Sequence, residues 1–223
     1  MIYVENKRRN IERIKKDYPT ADILDLTSSS TKRYGQILSP FYPHGNIPIP
    51  NTPDLKATCV EAVWQGLKVF ENNDVDFNTF QNATMHNLKR TIRKYGKPIG
   101  HRYGAYSKTI LDYFNARMLI YLPTYKYVLD NVEEVRNILE RIKERAKSHV
   151  VIFLDYNTNT DYRDISKPLS HAELVKLYIE GKYPIYREEI RPLSEEELQI
   201  KKENDKILKK QVMMASKETT TLF

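Results

Sequence analysis

HVVIFLDYN, residues 149–157, is the stretch that decides the fold. Its apolar run is continuous rather than alternating, as expected of a strand covered on both faces. Helical patterns flank it. Upstream, residues 133–146 place Val135, Ile138, Leu139 and Ile142 on one face. Downstream, SHAELVKLYIEGKYP (170–184) has Ser170 as N-cap, Glu173 at the capping-box position and Gly181 as a C-cap signal. A buried strand between amphipathic helices predicts a compact, mainly helical α+β domain with a small number of short strands.

Working toward the N-terminus, residues 109–131 carry a long helical stripe: Leu111, Phe114, Met118, Leu122, Tyr125 and Leu129. Pro123 forces a kink or restart. CVEAVWQGLKVFEN (59–72) reads as part of a helix over about 55–71 with Asp54 as N-cap. VENKRRNIERIKKD (4–17) reads as a short basic surface helix, and ADILDLTSSS (21–30) as a strand, Ile23 to Leu26, ending in a small polar loop. Five prolines in YGQILSPFYPHGNIPIPNTP (34–53) exclude a helix there and disfavour a central strand, leaving an irregular apolar segment packed on the core. Toward the C-terminus, LSEEELQIKKENDKILKKQ (193–211) is a charged helix with a sparse apolar stripe, Leu198, Ile207 and Leu208, before a disordered tail. The expected organisation is one domain over 1–192 and an appendage over 193–223.

Composition sets the setting. A mean hydropathy of −0.61 and the lack of any apolar run near the ~20 residues of a membrane span predict a cytoplasmic protein without membrane contact. MIYVENKRRN lacks the apolar core of a secretory signal. The single cysteine, Cys59, excludes an intrachain disulfide and suits a reducing compartment. A net charge of +7 favours anionic partners such as nucleotides, nucleic acid or acidic proteins. The 16 tyrosines fit an AT-rich coding sequence, such as that of a phage.

Three stretches carry candidate chemistry. On a helical wheel, Val60, Val63, Trp64, Leu67 and Phe70 form an apolar face, and Glu61, Gln65 and Lys68 a polar stripe at its border. A carboxylate there, beside an indole, can be desolvated and tuned for acid/base work; the plain reading is a solvated boundary glutamate. FLDYNTNTDYRD (153–164) puts Asp155, Asp161 and Asp164 where a buried strand emerges, a common place for functional groups. Asp and Asn also gather in loops for turn reasons. KYGKPIGHRYG (94–104) surrounds Lys97, His101 and Arg102 with glycines, which suits phosphate binding, or makes a basic surface loop. The scattered histidines have no paired ligand spacing, so neither metal nor cofactor is expected.

LSPFYPHGNIPIP (38–50) followed by VEAVWQGLKVF (60–70) resembles the opening motifs of the NADAR family. Residues 89–104, 111–131 and 153–164 are similar to that family's later motifs, so the resemblance spans about 36–165. It implies a compact, mostly helical enzyme that cleaves N-glycosidic bonds in nucleotide-like or ADP-ribose-containing molecules. By motif, Glu61 matches the family's essential glutamate, Trp64 and Lys68 match helix positions, and Asp161 or Asp164 matches the acidic loop residue. Ala62 stands where the family carries histidine, and no Trp-Gly pair follows the acidic loop. Catalysis is thus expected from Glu61, Asp161 and Asp164. Substrate contacts are expected from Trp64, Lys68, Lys97, His101, Arg102 and Asp155. The alternatives are an inactive nucleotide- or ADP-ribose-binding protein, and a basic module for nucleic acid or protein.

Overall fold

A computed structural model describes residues 1–187 and 191–220; within the last helix, the side chains of 205, 208, 212, 213 and 215–220 are not described. Leu208, one of the three stripe positions there, therefore lies outside the described side chains. The chain is an α+β protein, with three small sheets among the described residues.

The elements run β1 (Ile2–Asn6), α1 (Ile11–Asp17), β2 (Asp22–Asp25), α2 (Arg33–Ile37), β3 (Ile47–Ile49), β4 (Thr52–Ala57), α3 (Val60–Gly66), β5 (Lys68–Val69), α4 (Phe77–Phe80), α5 (Ile92–Tyr95), β6 (Gly100–Arg102) and β7 (Ile110–Leu111). Then α6 (Tyr113–Ala116), a π-helical turn (Arg117–Tyr121) and α7 (Leu122–Asn131) form one continuous helical stretch. It is followed by α8 (Glu133–Ser148), β8 (Val151–Asp155), α9 (His171–Ile179) and α10 (Glu195–Thr220).

The deciding stretch is the middle strand. β8 lies between β1 and β2 in a parallel sheet, and all five of its residues are buried. Its two faces meet different partners. Val151 and Phe153 belong to the main core with α3, α7 and α8, whereas Ile152 and Leu154 pack under α1 with Ile14 and Tyr18. That two-sided burial is why the run does not alternate. α8 turns Val135, Leu139 and Ile142 inward, with Ile138 at the margin. α9 begins at Ser170, whose hydroxyl accepts from the Glu173 amide.

Several expectations need correction. Val4 is in a strand, not a helix, because β1 pairs with β8 and the α1 helix starts only after Asn10. Residues 52–57 are strand rather than the start of α3: β4 pairs with β3, and Asp54 has φ 67 in that hairpin instead of capping a helix. The cap of α3 is Cys59, whose sulfur accepts from the Ala62 amide at 3.2 Å. A short helix, α2, occupies the start of the 34–53 segment expected to hold none, because its residues precede the first proline, and Ile47–Ile49 pairs as strand β3 in the same segment. Gly100–Arg102 is the central strand of the β5-β6-β7 sheet, not a loop. Pro123, by contrast, does what its ring suggests: α-helix restarts around it, with α7 beginning at Leu122 and the proline in its first turn. The π-helical turn just before it widens the helix where that ring would meet the Leu119 carbonyl. α10 continues to Thr220, beyond Gln211, where the sequence pattern ends it.

Candidate functional site

Glu61 sits in the first turn of α3, and only 7 % of its surface is exposed. It is held by its own helix. Gln65, one turn on, donates to the carboxylate at 2.7 Å. The Gln65 amide oxygen accepts in turn from the Lys68 ammonium at 2.9 Å and from the Arg90 backbone at 3.0 Å. The polar stripe of the wheel is thus a hydrogen-bonded chain, Glu61–Gln65–Lys68, closed by Arg90. The Arg90 guanidinium is buried and donates to the carbonyls of Lys68 (2.7 Å) and Asp74 (2.9 Å), with its face toward Phe70 and Tyr95.

The electrostatics follow from burial. Desolvation raises the Glu61 carboxyl above its ordinary value; Gln65, Lys68 and Lys89 oppose that rise. Burial also lowers the Lys68 ammonium, against the pull of Glu61. A carboxyl raised by burial and an ammonium lowered by it therefore lie on a single hydrogen-bonded chain.

An aromatic wall stands beside this chain. Trp64 stacks against His101 with ring centroids 3.8 Å apart and meets the edges of Tyr113 and Tyr121 at 5.8 and 5.6 Å. His101 faces Lys68 across the β5–β6 ladder. Both of its ring nitrogens are buried without a hydrogen-bond partner, an arrangement that ordinarily costs about 1–3 kcal/mol for the unmade bond. Burial, then Lys68 and Arg90, push its pKa down to about 3, so the ring is neutral. The Tyr121 hydroxyl is held well above its ordinary value by burial and by the nearby carboxylates of Glu61 and Asp155. That places Tyr121 between the α3 cluster and the end of β8.

The other expected residues are placed differently. Asp155 accepts from the Ser170 hydroxyl at 2.8 Å and lies 3.2 Å from His171, whose other nitrogen meets the Leu26 carbonyl. It joins the ends of β8, β2 and α9. Asp161 is buried and lies 3.0 Å from Lys201 of α10. Asp164 turns its own loop, accepting from the amide and hydroxyl of Ser166. Arg117, in the π-helical turn, donates to the carbonyls of Tyr162, Asp164 and Lys167 and pins that loop. Among the described residues no hydrogen bond or ion pair joins Asp161 or Asp164 to Glu61. Arg102 is engaged by Asp74 through two contacts, 2.9 and 2.5 Å, and Lys97 is on the surface. Of the glycine-flanked trio, only His101 enters the cluster.

Arg90, Lys89 and Tyr121 belong to the cluster but carry no local sequence signal, since one of many cations in KRTIRK and one of 16 tyrosines look alike in sequence. Cys59 is buried, and burial pushes its thiol up to about 11, so it caps the helix as a neutral group. Among the described residues no group of three His, Cys, Asp or Glu side chains could hold a metal, and no helix is long and apolar enough to cross a membrane.

Fold and site together define a compact α+β protein with one buried carboxylate inside a cationic, aromatic-walled cluster. Residues 6–175 match the Family of unknown function (DUF6939), and the chain belongs to that family. No curated protein matches it.

Proposed function

We propose that this DUF6939 protein is an N-glycosidase-like hydrolase of the cytoplasm, acting on a nucleotide-like or ADP-ribose-containing substrate with Glu61 as its catalytic group. The observation that carries the reading is Glu61 itself: a desolvated carboxylate, oriented by Gln65 and bordered by cations and stacked rings. The motif resemblance to the NADAR family supports the same residue.

Cleavage of an N-glycosidic bond passes through an oxocarbenium-like state with positive charge on the sugar. A carboxylate with little hydration gains more from that developing charge than a solvated one does, because its ground state is less stabilised. The base departs with the bond electrons, water adds at the anomeric carbon, and Glu61 takes the proton from that water. Trp64 and Tyr121 offer faces and edges for the base, and Lys68 and Lys89 attract an anionic part of the substrate.

Glu61→Gln preserves size and the bond to Gln65 while removing the charge. Turnover of an ADP-ribosylated base, followed by release of the free base, is expected to fall at least a hundredfold, the scale of losing one transition-state contact. A variant as active as the wild type would overturn the assignment. A second reading, an inactive nucleotide-binding protein, is favoured by the engagement of Asp161 and Asp164 in their own loop, which leaves one carboxylate in the cluster. Binding without turnover in the wild type would select it.

A further inference from the structure

A groove of about 730 Å³ opens beside the Glu61 cluster, within the usual ~300–1,000 Å³ of small-molecule sites. One rim is the loop that follows β2, at the carboxyl end of the parallel sheet, where α/β sheets generally place ligands. Asp25, held by Lys7 at 2.8 Å, fixes this loop by accepting from the amide (3.0 Å) and hydroxyl (2.7 Å) of Thr27. Thr27 continues the chain to Ser29 (3.2 Å), and Ser29 to the Tyr156 hydroxyl (3.0 Å). The opposite rim is the segment 84–91, which turns through left-handed backbone at Met85 (φ 60) and Asn87 (φ 58).

The lining has a clear chemistry. Ser28, Ser29, Ser30, Thr31, Thr84 and Thr91 supply hydroxyls, Lys89 supplies an ammonium, and among the described residues no carboxylate lines the groove. Lys89 is poised over Phe41, 5.4 Å from the ring centre. Glu61 does not line the groove, but two of its walls adjoin residues bonded to α3. Phe41 follows Pro40, whose carbonyl accepts from the Glu61 amide at 2.9 Å. Lys89 precedes Arg90, whose amide binds Gln65. Adjacent residues of one short segment thus serve the groove and the carboxylate.

We infer that this groove binds the phosphate-bearing arm of the substrate, with Lys89 neutralising it and the Ser28–Thr31 hydroxyls donating to its oxygens, so that the sugar end reaches Glu61. The last clause rests on the N-glycosidase reading; the phosphate site does not. Charge-assisted hydrogen bonds to phosphate are about twice as strong as neutral ones, so a single lysine on a hydroxyl-lined rim suffices to discriminate a nucleotide from a nucleoside.

Calorimetric titration of ADP and of adenosine into the full chain tests this without requiring turnover. ADP is expected to bind the wild type. Lys89→Ala should weaken it at least tenfold and leave adenosine unchanged within twofold. Thr31→Trp, which fills the groove from its exposed rim, should weaken ADP comparably; a melting curve checks that it folds. Glu61→Gln should not weaken ADP. A wild type that does not bind ADP, or ADP affinity indifferent to both groove substitutions, would overturn the proposal. If ADP binds through Lys89 but no glycosidic bond is cleaved, the groove stands and the hydrolase reading fails.

Discussion

His101 shows how burial turns into pH dependence. In the unfolded chain its imidazole takes up a proton near 6.5; in the fold it does so only near 3, because the ring is desolvated beside Lys68 and Arg90. The unfolded state therefore binds more protons between those values, and stability falls as pH drops through that window, by at most about 1.4 kcal/mol per pH unit. Glu173 works in the opposite sense. Burial raises it to about 7, so its contribution is full at low pH and is lost as pH rises toward 7. Comparing variants isolates the histidine. His101→Phe keeps a ring against Trp64, and urea titrations at pH 6.5 and 5 should show it losing about 1–2 kcal/mol less than the wild type between the two. Identical losses would mean that His101 charges freely in the fold. At this scale the helix wheel made Glu61, Trp64 and Gln65 legible; the helix expected to run to about 71 ends at Gly66, and Lys68 joins the cluster from β5, where the wheel no longer applies. Arg90 and Tyr121 were not legible, since only tertiary folding brings them to α3.

Among the elements, those with a complete local signature read correctly. β8 has its apolar run, α8 its stripe, and α9 its cap and closing glycine (Gly181, φ 68). β1 and β4 did not, because each is a short strand whose partners decide its state: Ile2–Asn6 carries two charged or polar residues among five, and without β8 nothing in it forbids a helix. α3 is equally short because of its surroundings. Gly66 closes it where the Phe80 ring presses in, and a Cβ at that position would lie 2.3 Å from the ring edge. Helix propensity favours alanine there by about 1 kcal/mol. Overpacking against a fully buried ring costs about 1–3 kcal/mol, so the clash wins. Gly66→Ala should lower the melting temperature, and because α3 carries Glu61 it should also reduce substrate turnover. A variant that melts at or above the wild-type temperature would show that Phe80 moves aside easily.

For the molecule as a whole, the main core holds no side chain from α10 among the described residues, and Ile200 and Ile207 are more than half exposed. Yet α10 is not detached. Lys201 reaches Asp161, Leu193 donates its amide to the Arg163 carbonyl, and the charge of Lys209 is felt at Glu173. Deleting 194–223 should leave a folded protein with a loss of about 1 kcal/mol, the scale of an ion pair whose carboxylate regains water. Phe153→Ala, in the middle strand, should cost about 3–5 kcal/mol. Thermal unfolding of both variants orders them; a truncated chain that fails to fold would make α10 part of the domain. The position of β8 has one more consequence, in the order of synthesis. β1 and β2 leave the ribosome with no strand between them, and their shared partner follows only after residue 150. Until then two strand edges in the nascent chain await a neighbour, so the sheet zips late, with the slow kinetics of distant pairings.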